Sequence, residues 1–254
     1  MKSQILAGIC LSLVPSGAGA ALTQEDFNQV IDRVEGLYPV TEKGEKITVN
    51  RLWMGSAIGD HAIRIPVSTL ENPVVAITGT AAKDASITKD AFAMVVCHEF
   101  GHHLAKGPRI GFRKLESWSA AEGEADYWAT SKCLKAYFSK YEDKESNPED
   151  LPLELKGRCE DLNTDPKELF QCYRASAAVV SLSKYLVDKN KSQVDFSSKA
   201  PAVKELVRRF RKDGFRDQCR VDTWLAGVYA GSSAAHGERP GCWYFGVSFS
   251  SVSI

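Results

Sequence analysis

Two histidines and a glutamate stand at a spacing that suits metal chemistry. Residues 98–102 read H-E-F-G-H, which matches the H-E-x-x-H pattern. Side chains four residues apart lie on one face of a helix, so His98 and His102 can direct imidazole nitrogens at one ion. Glu99 is turned about 100° from His98 and can stand beside that ion without binding it. Residues 91–96 are mostly apolar and predict a buried helix, where these polar side chains would be costly without a metal as partner.

A third ligand is needed, because catalytic zinc sites usually combine three protein ligands with a water. No histidine follows Gly107 or Gly111, so the pattern with a distal histidine is absent. Glu122 and Asp126 are four residues apart in the next predicted helix, and Glu124 points elsewhere. If their face packs against the first helix, Glu122 can complete the site and Asp126 can accept a hydrogen bond from a ligand imidazole. Acidic residues at a helix start are also common without any metal.

These two segments resemble the gluzincin metallopeptidases, and most closely the soluble relatives of the M48 peptidases. The resemblance is carried by H-E-F-G-H at 98–102 and by E-x-x-x-D at 122–126. It covers about residues 90–130, roughly a sixth of the chain. It implies a zincin-like fold in which one zinc ion per chain is bound by the two histidines and Glu122.

Together these residues predict an exported zinc metallopeptidase that hydrolyses peptide bonds. A zinc-activated water would attack the carbonyl, while Glu99 takes the proton as general base and passes it to the leaving amine. A further donor to the oxyanion would help, and the candidates are His236, Tyr127, Tyr229 and Arg220. Two alternatives stay open: a zinc-binding scaffold without catalysis, and a zinc amidase acting on cell-wall peptides. The scaffold is less favoured, because structural zinc sites normally use four protein ligands and do not need Glu99.

The surrounding elements predict an α+β fold that is mainly helical. Thr23 followed by Asp26 is a helix-capping signal, and the helix should stop at Pro39. Its apolar face is predicted to comprise Phe27, Val30, Ile31, Val34 and Leu37. The first metal-binding helix should run from near Thr88 to about Lys106, where Gly107-Pro108 ends it, and the second should cover about 120–141.

A small N-terminal sheet is predicted between the first helix and the metal-binding helices. Its β-type runs are 47–53, 62–67 and 74–78. Pro66 and Pro73 favour edge strands over central ones, since proline cannot donate to a ladder. The run 74–78 also stands where the gluzincin family places its substrate-aligning edge strand.

The last hundred residues are predicted to be mainly helical, after a polar loop at 142–152. Asp165-Pro166 is a good helix start, and two further helices are expected at 201–212 and 220–230. The buried stripe of the long helix is predicted to contain Leu169, Tyr173, Ala177, Val180 and Val187.

The N-terminus resembles an export signal. Lys2 precedes the mostly apolar run 5–14, and Ala18-Gly19-Ala20 offers a small-residue cleavage site. We therefore expect a periplasmic or secreted protein, with a bacterial source preferred. The expected organisation is a signal peptide at 1–20 and one zincin-like domain at 21–254, with a catalytic core at 21–141 and a helical C-terminal portion at 153–254.

Cysteine usage also fits an exported protein. Beyond the signal, the cysteines are Cys97, Cys133, Cys159, Cys172, Cys219 and Cys242. An even number in an exported chain suggests disulfides, and the pairs 159–172 and 219–242 would each close a short loop. Buried thiols are the alternative, above all for Cys97 and Cys133, which lie in apolar helical patterns, and the sequence leaves the pairing of the six open.

The charge balance indicates which partners to expect. The chain has 32 Lys and Arg against 32 Asp and Glu, so nothing in the net charge favours nucleic acid or an anionic membrane. No run after the signal is long and apolar enough for a membrane span. The expected partner is a protein or peptide substrate, and the oligomeric state stays open.

Overall fold

The computed structural model describes residues 20–55, 59–67, 70–110, 118–141, 151–203, 214–231 and 238–244. It is rich in helix with a small sheet, which agrees with the predicted α+β class. The elements are α1 Gln24–Leu37, β1 Thr48–Leu52, β2 His61–Val67, β3 Leu70–Thr78, α2 Gly79–Ala82, α3 Lys89–Leu104, β4 Arg109–Ile110, β5 Ser119–Ala120, α4 Glu122–Trp128, a π-helical turn Ala129–Cys133, α5 Leu134–Lys140, α6 Leu153–Leu162, α7 Pro166–Asn190 and α8 Arg216–Tyr229.

Several predicted features lie outside the described residues. These are almost all of the signal peptide, most of the loop at 142–152, most of the predicted helix at 201–212, and His236. Within the described ranges, no helix combines the length and apolar character needed to cross a membrane.

Helix α1 begins as its sequence predicts. The Thr23 hydroxyl accepts a hydrogen bond from the Asp26 backbone at 3.1 Å, and the Asp26 carboxylate accepts one from the Thr23 backbone at 3.0 Å. This reciprocal cap satisfies two backbone donors that a helix start leaves unpaired. The predicted apolar face is buried at Phe27, Val30, Ile31 and Val34, while Leu37 is partly buried.

The prediction that residues 74–78 form an edge strand is wrong. The strand order is β1-β3-β2, with β1 parallel and β2 antiparallel to β3, so β3 is the central strand of this sheet. The pairing with β1 starts at Val74. Pro73 therefore lies just outside that ladder, and its missing N–H does not prevent β3 from being central. Pro66 does lie in an edge strand, β2, as proline should.

Helices α3 and α4 carry the predicted metal ligands. Thr88 caps α3 by accepting a hydrogen bond from the Ala91 backbone at 3.2 Å, and the helix ends at Leu104 rather than at Lys106. The second helix starts at Glu122, because residues 119–120 instead form the short strand β5. It then continues through the π-helical turn into α5.

The two helices approach closely at Gly101. A Cβ atom built there would lie 3.0 Å from the Ala125 carbonyl oxygen and 3.1 Å from the Ala125 Cα. These are backbone atoms and cannot rotate away as a flexible side chain would. Any larger residue at position 101 would therefore push the two helices apart by a few tenths of an ångström, and glycine permits the observed approach.

The C-terminal helices complete a core shared with the N-terminal elements. One hydrophobic cluster contains buried residues of α1, β3, α3, α6, α7 and α8. Helix α7 begins at Pro166 as predicted, but a different face of the helix is turned to the core. The apolar members of that face are Cys172, Ala175, Ala178, Val179, Leu182 and Leu186, whereas the five predicted residues are only partly buried.

Within the described residues, three disulfide bonds tie these helices to one another and to the segment 238–244. Two are the predicted pairs, Cys159–Cys172 and Cys219–Cys242. The alternative of buried free thiols does not hold for Cys97 and Cys133, because these buried residues are bonded to each other with Cα atoms 5.8 Å apart. The packing of α3 against the π-helical turn brings the two positions together.

Replacing Gly101 with alanine should lower the melting temperature. Alanine favours a helix over glycine by about 1 kcal/mol, but here its methyl group would meet the Ala125 backbone. Gly157 of α6 is a matched control, because a Cβ atom there would meet nothing within 4 Å. We expect Gly157→Ala to raise the melting temperature and Gly101→Ala to lower it. Equal stabilisation by both changes would show that α3 and α4 are not in close contact.

Candidate metal centre

His98, His102 and Glu122 converge as the sequence predicts. Each offers one ligand atom, and the three atoms lie within 4.8 Å of one another. The Glu122 Oε2 atom is 3.5 Å from His98 Nε2 and 4.0 Å from His102 Nε2. The three side chains form a group that could hold a metal ion, at the point where α4 begins beside α3.

The second ring nitrogen of each histidine lies close to an acceptor: His102 Nδ1 is hydrogen-bonded, and His98 Nδ1 lies at ion-pair distance from a carboxylate. His98 Nδ1 lies 2.6 Å from Asp126 Oδ1, and His102 Nδ1 lies 2.9 Å from the Ala120 carbonyl oxygen. Histidines that bind metals almost always donate their other N–H to such an acceptor. These contacts leave both Nε2 atoms directed at Glu122, so the residues present fit a metal ion.

Asp126 is itself fixed by Arg220 of α8. The Arg220 guanidinium donates to both carboxylate oxygens of Asp126, at 2.9 and 2.7 Å. A paired, bidentate contact of this kind makes a fully buried carboxylate tolerable. Arg220 is also a candidate oxyanion donor; the structure shows that it supports Asp126, and its role toward an oxyanion stays a prediction.

The structure does not test the other three candidate oxyanion donors. Tyr127 is buried on α4, with the Arg239 guanidinium 4.7 Å from its ring centre. Tyr229 stands near the end of α8, with the Arg158 guanidinium 5.9 Å from its ring centre. His236 lies outside the described residues, so the role of each as an oxyanion donor stays a prediction.

Glu99 stands beside the three ligands, as its position in the helix predicts. Its side chain is buried, and Oε1 lies 4.0 Å from His98 Nε2. Among the residues that the structure describes, Oε2 has no hydrogen-bond partner. Burial raises the pKa of this carboxyl to about 7, with Asp60 and Glu122 adding to the rise and His98 opposing it. A buried carboxyl without a hydrogen-bond partner lowers the stability of the fold. Such a group therefore points to a functional site.

The carboxylates around His98 and His102 favour a positive charge at this group. Burial alone would lower the pKa of His98, but Asp126, Glu122 and Glu99 outweigh it and raise that pKa to about 10. Burial would raise the pKa of Glu122, yet the neighbouring histidines lower it overall. The pKa of His102 is lowered by burial and by the charge on His98. The carboxylates thus hold one positive charge on His98 in the metal-free protein.

Residues 238–244 hold α4 from the side opposite α3. Arg239 donates to both carboxylate oxygens of Glu124, at 2.5 and 2.8 Å. A Cβ atom on Gly123 would lie 2.2 Å from the Trp243 ring, so this ring covers the helix start directly beside Glu122. The disulfide at Cys242 ties the segment to α8. Sequence reasoning missed the role of Arg239, for which no local signal exists.

Comparisons with protein-family models, curated proteins and solved structures find no match to this chain. Its function therefore has to be inferred from the geometry of the site.

Binding of a divalent metal ion at about pH 7 should release at least one proton. The metal needs a neutral imidazole, whereas a pKa of about 10 keeps His98 protonated in the metal-free protein. Protons and metal therefore compete, and affinity should weaken as the pH falls. Calorimetric titration with Zn²⁺ in buffers of different ionisation enthalpy measures the number of protons released. The Asp126→Asn variant should release fewer protons when it binds zinc, because the change removes the strongest charge that raises the pKa of His98. If zinc binding released no protons in any buffer, His98 would not be a protonated residue whose proton the metal displaces.

Proposed function

We propose that the protein is a zinc-dependent peptidase that works outside the reducing cytoplasm. The observation that carries this proposal is the position of Glu99. Its carboxylate is buried beside the three ligand atoms, does not belong to them, and has a free oxygen among the described residues. A site that only held a structural metal would have no use for such a group.

Zinc is the metal that suits the ligands best. Two imidazole nitrogens and one carboxylate are a common catalytic zinc set, with the fourth position left for water. Purely structural zinc sites normally use four protein ligands. The set in this chain also matches the one implied by the resemblance to gluzincins, and we extend the proposal to a zincin-like fold.

The protein side chains would divide the chemistry between them. A bound zinc ion would activate a water molecule and polarise the scissile carbonyl. Glu99 would accept a proton at Oε2 and deliver it to the leaving amine. Asp126, held by Arg220, keeps the His98 ring oriented with Nε2 toward the ligand group. Burial of these groups strengthens their interactions by excluding bulk water.

The disulfides support the proposed location. Three pairs within the described residues are typical of proteins from oxidising compartments. We propose that residues 1–20 direct export to the periplasm or the medium.

Glu99→Gln should abolish hydrolysis of unfolded casein while leaving zinc binding intact. The change keeps the size of the side chain but removes the proton acceptor, and general bases contribute about 10²- to 10⁴-fold in rate. Zinc content by atomic spectroscopy and the rate of peptide release are measured together. Glu154→Gln, at an exposed position of α6, is the matched control and should retain full activity.

Two results would count against the proposal. Full activity of Glu99→Gln would remove the base from the mechanism. A wild-type protein that holds one zinc ion but cleaves neither casein nor short peptides would favour the zinc-binding scaffold.

A further inference from the structure

Glu122 is the least enclosed member of the candidate metal group. Its side chain is 33% exposed, against 10% for His98 and 9% for His102. It is also the first residue of α4, and Ala121 before it makes no side-chain cap. The first turn of a helix leaves backbone donors unpaired and frays easily. The position of this carboxylate therefore depends on contacts from outside its own helix.

The segment 238–244, here called the C-terminal clamp, makes such contacts at the two residues directly after the carboxylate. The Trp243 ring covers Gly123, where a Cβ atom would lie 2.2 Å from the ring. Arg239 donates to both carboxylate oxygens of Glu124, at 2.5 and 2.8 Å. A bidentate pair of this kind fixes direction as well as distance. One ring and one guanidinium thus hold the first turn of α4.

The glycine at position 123 is explained by this contact. Glycine weakens a helix relative to alanine, so it is unfavourable in the first turn of α4 unless the space is needed. Three atoms from the body of the Trp243 ring lie within 2.6 Å of the point where a Cβ atom would stand. Among the described residues, the ring Nε1 atom has no hydrogen-bond partner. The ring therefore acts on the helix through its shape.

The disulfide of the clamp connects it to the other group that holds α4. Cys242 directly precedes Trp243 in the chain, and Cys219 directly precedes Arg220. Arg220 in turn donates to both carboxylate oxygens of Asp126. One covalent bond thus joins the backbone beside the ring that covers α4 to the backbone beside the guanidinium that binds it.

The clamp packs apart from the main hydrophobic core. Cys219, Cys242 and Trp243 form a small cluster of their own, and none of them belongs to the large cluster that joins α1, β3, α3, α6, α7 and α8. Loosening the clamp should therefore leave the main core folded. An effect on the metal group can then be measured in a native protein.

We propose that the C-terminal clamp sets the metal affinity of the site by fixing Glu122, and that the Cys219–Cys242 disulfide locks the clamp in place. Trp243 and Arg239 are then positioning residues, which act through α4 rather than as ligands. This inference rests on the zinc site of the proposed function and names what its affinity depends on. It does not require that the protein hydrolyse peptides.

The first test removes the lock and measures zinc affinity by competition with a chromophoric chelator. The variant combines Cys219→Ala with Cys242→Ala, because free thiols would themselves bind zinc. The dissociation constant for zinc should rise by roughly 10- to 100-fold, the range for loss of the groups that support a metal ligand. The matched control combines Cys159→Ala with Cys172→Ala, which removes the disulfide between α6 and α7. It should lower the melting temperature but change the zinc dissociation constant by less than about 2-fold.

Single substitutions at the ring contact test the same claim without touching a disulfide. Gly123→Ala should weaken zinc binding by about 10-fold, because the added methyl group displaces the Trp243 ring. Gly157→Ala, where a Cβ atom meets nothing within 4 Å, should leave zinc affinity unchanged. Trp243→Leu should weaken zinc binding as the loss of the disulfide does. Trp243→Phe keeps a ring over position 123 and should restore most of the affinity.

A double-mutant cycle shows whether the clamp acts through Glu122. The Glu122→Gln variant retains His98 and His102 and should bind zinc more weakly than the wild type. In that background, loss of the Cys219–Cys242 bond should change the dissociation constant by less than about 2-fold, because the carboxylate that the clamp positions is already gone. Strong coupling of this kind supports the proposal.

Three results would overturn it. Zinc affinity could stay at the wild-type value when the lock is removed, or it could fall equally in the wild-type and Glu122→Gln backgrounds. Equal losses of affinity on removal of either disulfide would show a general effect of stability. A wild-type protein that binds no zinc would overturn the metal site and this proposal together. If the wild type binds zinc in a clamp-dependent way but cleaves no peptide, only the peptidase function fails.

Discussion

The contact between α3 and α4 at Gly101 is the constraint on which the site depends. The two histidines come from one helix and Glu122 from the start of the next, so the ligand atoms meet only if the helices lie almost backbone to backbone. A side chain at position 101 would meet Ala125 and separate them. The disulfide between Cys97 and Cys133 joins the same two helical segments next to the histidines. Close approach and covalent link together hold the ligands in one place.

Burying so many charges requires compensation, and the structure supplies it through the C-terminal elements. Arg220 of α8 neutralises Asp126, which in turn orients His98. On the other side of α4, Arg239 neutralises Glu124. The helix that carries Glu122, the acidic member of the candidate metal group, is therefore held between two arginines from the last part of the chain. A half-satisfied network would be costly, which explains why these partners lie so close to the site.

Sequence alone predicted what depends on local spacing. The i, i+4 pattern placed His98 and His102 on one face, and the second such pattern placed Glu122 and Asp126 on another. What it missed depends on contacts between distant segments. Pro73 suggested an edge strand, but only the register with β1 shows that the proline lies beyond the β1–β3 pairing, while it still pairs with Arg64 of β2. Cys97 and Cys133 lie in the same helical segments as the site residues, yet their pairing depends on how the two segments pack. Arg239 carries no local signal, because its partner Glu124 is far away in the chain.

The central claim is that His98, His102 and Glu122 bind zinc. Diffraction from crystals of the zinc-loaded protein, recorded on both sides of the zinc absorption edge, tests it most directly. The account predicts one anomalous peak, about 2.0–2.1 Å from each histidine Nε2 and about 2.0–2.2 Å from a Glu122 oxygen, with Glu99 outside the coordination shell. A peak at other residues, direct coordination by Asp126 or Glu99, or no peak at all in zinc-saturated crystals would contradict it.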